Sequence, residues 1–377
     1  MSKNRFIEAS TVRRASGFGL KRALIIVSAS MAAATGAATP AAAEESFSSG
    51  SYVTPEGIAA GPASTYLVSD AGADTVFQVP ASGGIPTVSD ALGFEPYGEV
   101  DLSSYYGGLA GQYLVFGRDV TNTYGITALV GSSGLGPATN LAQTSTHTTY
   151  ASAITAPTAY GAIAAGQVVL STEGGQVDVL AANGTTVSTF ATAPGTATFG
   201  LGFAPSTFGN DGGDLFVTDG LTGNLYVVNS GGQSTLFATL QLPDTLTSPG
   251  LRDLAWAPAG FGQYGGDLFV SIAASTSAHG ASGEIAVLNS QGQEVALYDQ
   301  GDAAHPLEPR GMVFSGSGEL LVSNADPGID VVTPSDFISS TSAAPEPAAW
   351  AMSLLGVGVV GISLRRRRTG RPERLTA

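Results

Sequence analysis

Short apolar runs broken by glycine-rich turns recur along the middle of the chain, and the sharpest copy lies at residues 212–232. There Leu215-Phe216-Val217 and Leu225-Tyr226-Val227-Val228 flank a turn of Asp219, Gly220, Leu221, Thr222 and Gly223. Two such runs around a glycine-bearing turn predict a β-hairpin. Its first half recurs nearly letter for letter at residues 265–271, with looser copies at 66–70, 113–116, 168–171 and 320–324. Taking Val68, Val115, Leu170, Val217, Val270 and Val322 as equivalent points gives spacings of 47, 55, 47, 53 and 52 residues. Periods near that length, each holding several short strands, predict a propeller.

Within the unit at residues 199–240 the pattern places an inner strand at 201–204, then strands at 214–218, 224–229 and 235–240. The next unit repeats that order at 254–256, 268–271, 284–288 and 294–298. Units at 57–92 and 161–192 follow the same plan. The unit at 97–152 ends in a Ser/Thr/Ala-rich tail, 141–156, that fits either a strand or a loop. The last unit supplies 312–314, 320–323 and 329–332 but no fourth strand, while residues 47–53 precede the first unit without a partner. Pairing the two closes the ring and removes its exposed edges. The expectation is an all-β, six-bladed β-propeller over residues 44–334. Five or seven blades follow if the second unit is divided differently, and a β-solenoid would need shorter rungs.

Composition agrees. The 51 glycines and a charged fraction of only 12% favour a turn-rich all-β protein over helices. There is no cysteine, which removes disulfides and thiol chemistry. The formal charge of -15 is unevenly spread: six basic residues precede residue 23 and six follow residue 364. Between Glu44 and Ala344, 27 acidic residues face three basic ones, Arg118, Arg252 and Arg310, and no lysine. A surface this acidic repels nucleic acid and anionic lipid headgroups.

The two ends read as an address. In residues 1–43 basic positions up to Arg22 precede the apolar run Ala23-Leu24-Ile25-Ile26-Val27, and Ala41-Ala42-Ala43 fits a small-residue cleavage site. That pattern predicts a signal peptide with Glu44 as the mature start. Arg13-Arg14 raises a twin-arginine route, but the following Ala15-Ser16-Gly17-Phe18 fits it poorly and favours the Sec export machinery. Residues 335–344 read as a flexible linker. Pro345-Glu346-Pro347 then leads into an apolar stretch, 348–364, followed by Arg365, Arg366, Arg367 and Arg368 and a tail at 369–377. At about 1.5 Å per residue the stretch spans about 26 Å, close to a hydrocarbon layer of roughly 30 Å. The arginines keep the tail cytoplasmic and place the propeller across the membrane.

This tail resembles the PEP-CTERM sorting signal of Gram-negative bacteria over residues 344–368. The resemblance implies recognition by an exosortase, cleavage near residues 345–347, and passage from an inner-membrane-anchored precursor to the cell surface or extracellular matrix. Such tails accompany exopolysaccharide-producing systems, which makes biofilm the expected setting. A plain single-pass anchor is the alternative. The repeat pattern over residues 47–334 in turn resembles the six-bladed propellers of the NHL and SMP-30-like group.

Propeller ligands bind where loops enter the inner strands. Aligning those positions gives Pro55-Glu56-Gly57, Pro96-Tyr97-Gly98, Ala159-Tyr160-Gly161, Thr198-Phe199-Gly200, Leu251-Arg252-Asp253 and Pro309-Arg310-Gly311. The glycines, present in five of the six, fit a tight turn, and the residue before each turn forms a candidate ring: Glu56, Tyr97, Tyr160, Phe199, Arg252 and Arg310. Two guanidinium groups beside aromatic faces suit a carboxylated or sulfated sugar, with the anion gripped bidentately. The structural alternative pairs Arg252 with Asp253 and Arg310 with Glu308.

No G-x-S-x-G elbow, H-E-x-x-H helix or phosphate loop occurs. His147, His279 and His305 are scattered singly. Glu56, Glu99 and Asp253 offer carboxylates for a channel metal of the SMP-30-like kind, but the arginines beside them disfavour a bare cation. The acidic loops at 70–74, 210–214 and 324–326 contain oxygen ligands for Ca²⁺ without EF-hand spacing, and read more simply as turns. The expectation is therefore a non-catalytic, cofactor-free binding or structural module, with anionic polysaccharide as partner. An SMP-30-like hydrolase or lactonase acting at the channel mouth is the alternative.

Overall fold

The computed structural model describes residues 45–339, apart from residues 49–51, 63, 87, 119–124, 131–138, 144–149, 185, 195–197, 241–248, 275–282, 299–307 and 325–327. The expected signal peptide, the sorting signal and the 348–364 span lie outside the described residues. Among those described, no helix is long and apolar enough to cross a membrane.

The apolar runs become short antiparallel strands. β1 (Glu45–Ser48) stands ahead of the repeat. The first sheet is β2 (Pro55–Ala60), β3 (Thr65–Asp70), β4 (Thr75–Pro80) and β5 (Val88–Ala91). The second is β6 (Glu95–Asp101), β7 (Tyr113–Arg118), β8 (Gly125–Val130) and β9 (Thr139–Gln143). The third is β10 (Tyr150–Thr155), β11 (Val168–Thr172), β12 (Gln176–Leu180) and β13 (Val187–Thr192). The fourth is β14 (Thr198–Phe203), β15 (Leu215–Asp219), β16 (Asn224–Val228) and β17 (Ser234–Thr239). The fifth is β18 (Pro249–Trp256), β19 (Leu268–Ala274), β20 (Glu284–Leu288) and β21 (Glu294–Tyr298). The sixth is β22 (Pro309–Phe314), β23 (Leu320–Asn324) and β24 (Gly328–Val332), completed by β1.

The inner strands β2, β6, β10, β14, β18 and β22 each touch the next, and β22 returns to β2. This is a propeller arrangement of small sheets. The last sheet takes its outer strand from the start of the chain, with Glu45 opposite Val331 and Ser48 opposite Ile329. That strand begins slightly earlier than the 47–53 segment the pattern singled out.

Packing explains why the repeat shows as continuous apolar runs. β11, β15 and β23 are buried along their whole length because a neighbouring sheet covers each face. Apolar clusters fill the spaces between successive sheets. Val169, Val177, Leu201 and Val217 join the third to the fourth, and Phe216, Leu254 and Leu268 join the fourth to the fifth. Ile58, Val68, Leu321 and Ile329 seal the sixth against the first. Burying one such side chain contributes about 1.5–3 kcal/mol, so the interfaces between sheets carry most of the hydrophobic stabilisation.

Residues 335–339, expected as linker, are part of the folded body. β25 (Ile338–Ser339) pairs with β21 through Ala296–Ser339 and Leu297–Ile338. Phe337 is buried, with its ring edge-on to Phe269 at 5.2 Å and to Tyr264 at 5.5 Å. The buried Phe337 ring and the strand pairing of Ile338 and Ser339 together dock this segment. Residues 340–344 lie outside the described residues.

Candidate functional site

The inner strands enclose a central cavity of about 580 Å³. Each inner strand has a register break where it meets the cavity: between Pro55 and Gly57, Pro96 and Gly98, Tyr150 and Ser152, Thr198 and Leu201, Leu251 and Leu254, and Pro309 and Met312. A β-bulge leaves a residue out of the ladder and re-aims its side chain. The unpaired positions carry Glu56, Tyr97, Ala151, Phe199, Arg252 and Arg310, and all of these line the cavity.

The glycines beside them answer a different need from the tight turn the sequence suggested. A Cβ on Gly57 would sit 2.6 Å from the Tyr97 carbonyl oxygen, and one on Gly200 would sit 2.6 Å from the Arg252 carbonyl oxygen. Neighbouring inner strands run so close that only hydrogen fits between them. Buried hydroxyls one residue beyond the repeat valine tie the bulges together. Gly311 N–H donates to Ser323 Oγ at 2.8 Å, and that hydroxyl faces the Glu56 carbonyl at 3.1 Å. Asp253 N–H donates to Ser271 Oγ, which donates to the Arg310 carbonyl. Thr218 links Gly200 N–H to the Leu251 carbonyl, and Ser171 donates to the Phe199 carbonyl.

All three basic residues of the region between Glu44 and Ala344 converge on this cavity. Arg310 pairs with Glu56 across the seam between the sixth and first sheets, and with Glu308 at 3.3 Å. Arg118 pairs with Glu95 at 2.5 Å and lies 5.2 Å from the Tyr97 ring centroid. Arg252 differs. It lies over Phe199 at 4.5 Å and, among the described residues, makes no ion pair; its Nε has no hydrogen-bond partner. Burial pulls its guanidinium down from its ordinary value, opposed by the nearby Tyr97 and Glu173. An arginine still holds its charge at neutral pH. The expected Arg310–Glu308 pair is present, whereas Asp253 turns from Arg252 to accept from Leu254 N–H at 2.8 Å and Met312 N–H at 2.7 Å. Burial pushes the Asp253 carboxyl up to about 6.

A second layer lies deeper. Ile58, Glu99, Ala153, Leu201, Leu254 and Met312 each pair with the repeat residue of the neighbouring strand: Val68, Val115, Leu170, Val217, Val270 and Val322. All six line the cavity. The layer is therefore apolar except for one carboxyl. Glu99 is only 5% exposed; its Oε2 accepts from Ser69 Oγ, and its Oε1 has no partner. Burial pushes it up to about 7, against the opposing hydrogen bond from Ser69.

Of the six ring residues read from the sequence, the structure brings five to the cavity and leaves Tyr160 out. Tyr160 is buried between the third and fourth sheets, its hydroxyl 2.6 Å from the Val228 carbonyl and 2.7 Å from Asp214. The inner strand of that sheet is β10, whose bulge carries Ala151. The sequence reading missed Arg118, Glu173 and the layered organisation. The signal for β10 was a long first loop: Ala153 precedes its partner Leu170 by 17 residues, as Leu201 precedes Val217 by 16, while Ile58 precedes Val68 by only 10.

In two of the acidic loops a carboxylate is engaged within the fold, while residues 325–326 of the third lie outside the described residues. Asp70 accepts from the backbone N–H of Val53, Thr54 and Ala73, and Asp214 takes the Tyr160 hydroxyl. Among the described residues, no group of three or more His, Asp or Glu side chains is placed to hold a metal ion.

A ring of small antiparallel sheets around a polar cavity defines the class as a β-propeller. Among solved structures the fold is similar to regucalcin, a calcium-binding protein from Agrobacterium tumefaciens, with a TM-score of 0.53 and 15% identity over 74% of this chain and 89% of that one. It is also similar to a luciferin-regenerating enzyme, with a TM-score of 0.52 and 14% identity over 74% and 90% of the two chains. At these identities the likeness is one of fold. No curated protein matches the chain in sequence. Residues 343–368 match the PEP-CTERM protein-sorting motif. The motif marks the chain as an exported exosortase substrate, anchored in the membrane before it is processed and released to the cell surface, and it implies a C-terminal transmembrane region and a signal peptide.

Proposed function

We propose that the chain is a surface-delivered binding module whose central cavity holds an anionic saccharide, as a component of an exopolysaccharide or biofilm matrix. One observation carries this reading: in a region with 27 acidic residues, the three arginines all face one cavity, and one of them, Arg252, makes no ion pair among the described residues and leaves its Nε without a hydrogen-bond partner. A half-buried guanidinium stacked on an aromatic ring is preorganised to take a carboxylate or sulfate as a bidentate partner. Export follows the Sec route, with residues 348–364 as a temporary anchor. Calorimetry of uronic-acid oligosaccharides on the full-length protein tests the reading. Arg252→Ala is expected to weaken binding at least about tenfold, the scale of one charge-assisted hydrogen bond. Equal affinity of variant and wild type would end it.

A hydrolase or lactonase at the same cavity is the second reading. The observation in its favour is that Glu99 and Asp253, both lining the cavity, have carboxyls lifted toward neutrality, where acid–base groups work best. Calcium belongs to this reading, since it is the metal named for the regucalcin of shared fold. The carboxylates present fit a cation poorly: Glu56 is engaged by Arg310, Asp253 by two backbone N–H groups and Glu99 by Ser69. Lactone turnover that depends on added calcium and is abolished by Glu99→Gln would establish the enzyme.

A further inference from the structure

We propose that Glu99 is a ligand-binding group that selects the unit entering the cavity, hydrogen-bonding a ring hydroxyl of a single hexuronate whose carboxylate is held at Arg252. This rests on the saccharide reading above and adds the identity of the unit and the residue that discriminates it.

Glu99 occupies a register position that is apolar in every other sheet, where Ile58, Ala153, Leu201, Leu254 and Met312 stand. A buried carboxyl with an unpartnered oxygen is destabilising where it stands. A second departure from the repeat coincides with it. Ser171, Thr218, Ser271 and Ser323 direct their hydroxyls to backbone carbonyls at the bulge of the next sheet. Ser69 instead directs its hydroxyl to the Glu99 side chain. In the second sheet the hydroxyl position itself is taken by Phe116, which packs on Gly98. The hydroxyl is turned from the backbone at the one place where a carboxyl stands in the deep layer. Scaffold stability does not explain that exchange; a ligand that supplies the missing partner does.

The geometry narrows the ligand. Glu99 lies two strand residues, about 7 Å, from the bulge layer along the strand, and it stands on the second sheet while Arg252 stands on the fifth, so a ligand held by both crosses the cavity as well as spanning the two layers. Ile58, Leu201, Leu254 and Met312 offer surface for the C–H face of that ring, and Phe199 stands beside Arg252. Either protonation state of Glu99 suits a hydroxyl, since the acid donates and the carboxylate accepts.

The test compares D-glucuronate with cyclohexanecarboxylate, which keeps the ring and the anion but has no hydroxyls. Calorimetry is run on full-length wild type, Glu99→Gln and Glu99→Leu. Wild type and Glu99→Gln are expected to favour glucuronate at least tenfold, and Glu99→Leu to lose or invert that preference while still binding cyclohexanecarboxylate. Glu99→Leu removes a buried polar group, so its melting temperature should equal or exceed that of wild type and serves as the folding control. Retention of the glucuronate preference by Glu99→Leu, or no preference in wild type, overturns the role of Glu99 and leaves the anion site standing. Failure of wild type to bind either acid overturns both.

Discussion

Arg310 and Arg252 occupy the same repeat position on adjacent inner strands, yet they stand in opposite electrostatic situations. Arg310 reaches from the sixth sheet to Glu56 on the first and also holds Glu308. It locks the seam where the two ends of the propeller meet. Arg252 sits over Phe199 with no ion pair among the described residues. A cation that joins two sheets is explained by the fold, whereas a cation left open to a cavity is not. The mouth of the propeller is thus divided into a structural side and a side available to a ligand.

The largest effect that sharpens this contrast is expected from Arg310→Ala. It leaves Glu56, whose side chain is only 13% exposed, without its cation. Removing one partner of such a pair costs about 3 kcal/mol, read as a fall in the urea midpoint with an unchanged slope. Equal destabilisation by Arg252→Ala would erase the distinction between the two sides.

The pH profile of stability follows. Glu99 is lifted from 4.5 to about 7, with burial as the leading cause. Between those values the folded protein keeps a proton that the unfolded chain has released. Stability is therefore greatest at the acid end of the window and declines as pH rises through it. Asp253, lifted to about 6, acts in the same direction. Glu99 alone accounts for about 3 kcal/mol across the window. Urea midpoints measured from pH 4.5 to pH 8 should fall in wild type and flatten in Glu99→Gln. A profile that Glu99→Gln leaves unchanged would show that the carboxyl is not held in its acid form.

Ser323→Ala tests the seam from the hydroxyl side. It leaves the buried Gly311 N–H without its acceptor, at a cost of about 1–2 kcal/mol. The same change at Ser69 should cost a comparable amount, because it strips the buried Glu99 carboxyl of its hydroxyl donor. The urea midpoints of the two variants give the comparison directly.

Much of this was legible in the sequence, for identifiable reasons. Strands buried on both faces, such as β15 and β23, print unbroken apolar runs, so the repeat could be read and its valines aligned. Those valines turn out to mark a real register, being the pairing partners of the deep cavity layer. The glycine beside four of the six bulges, Gly57, Gly98, Gly200 and Gly311, was equally visible, but the reason for it was not: the close approach of two inner strands is a tertiary fact. Tyr160 was misplaced because the first loop of a sheet comes in two lengths, and an aromatic-glycine pair in the long loop imitates one at a bulge. Arg118 was counted but not placed at the site, because it reaches the cavity from the end of a second strand. Glu99 was visible as a carboxylate, yet only the register shows it standing alone among apolar neighbours.

The smallest expected effect is the most discriminating. Arg252→Leu removes a charge that burial disfavours and that the nearby Tyr97 and Glu173 offset only in part, and it keeps an apolar side chain against Phe199. The lost stacking of the guanidinium is worth about 0.5–1 kcal/mol, and relief of the buried charge offsets it. The net change in stability should fall within about 1 kcal/mol of zero, in either direction. If binding of uronate-bearing sugars collapses in this variant while its urea midpoint stays in place, Arg252 serves the ligand and not the fold. A large loss of stability would instead place Arg252 beside Arg310 as a lock between sheets, and the mouth of the propeller would no longer have a side left open for a ligand.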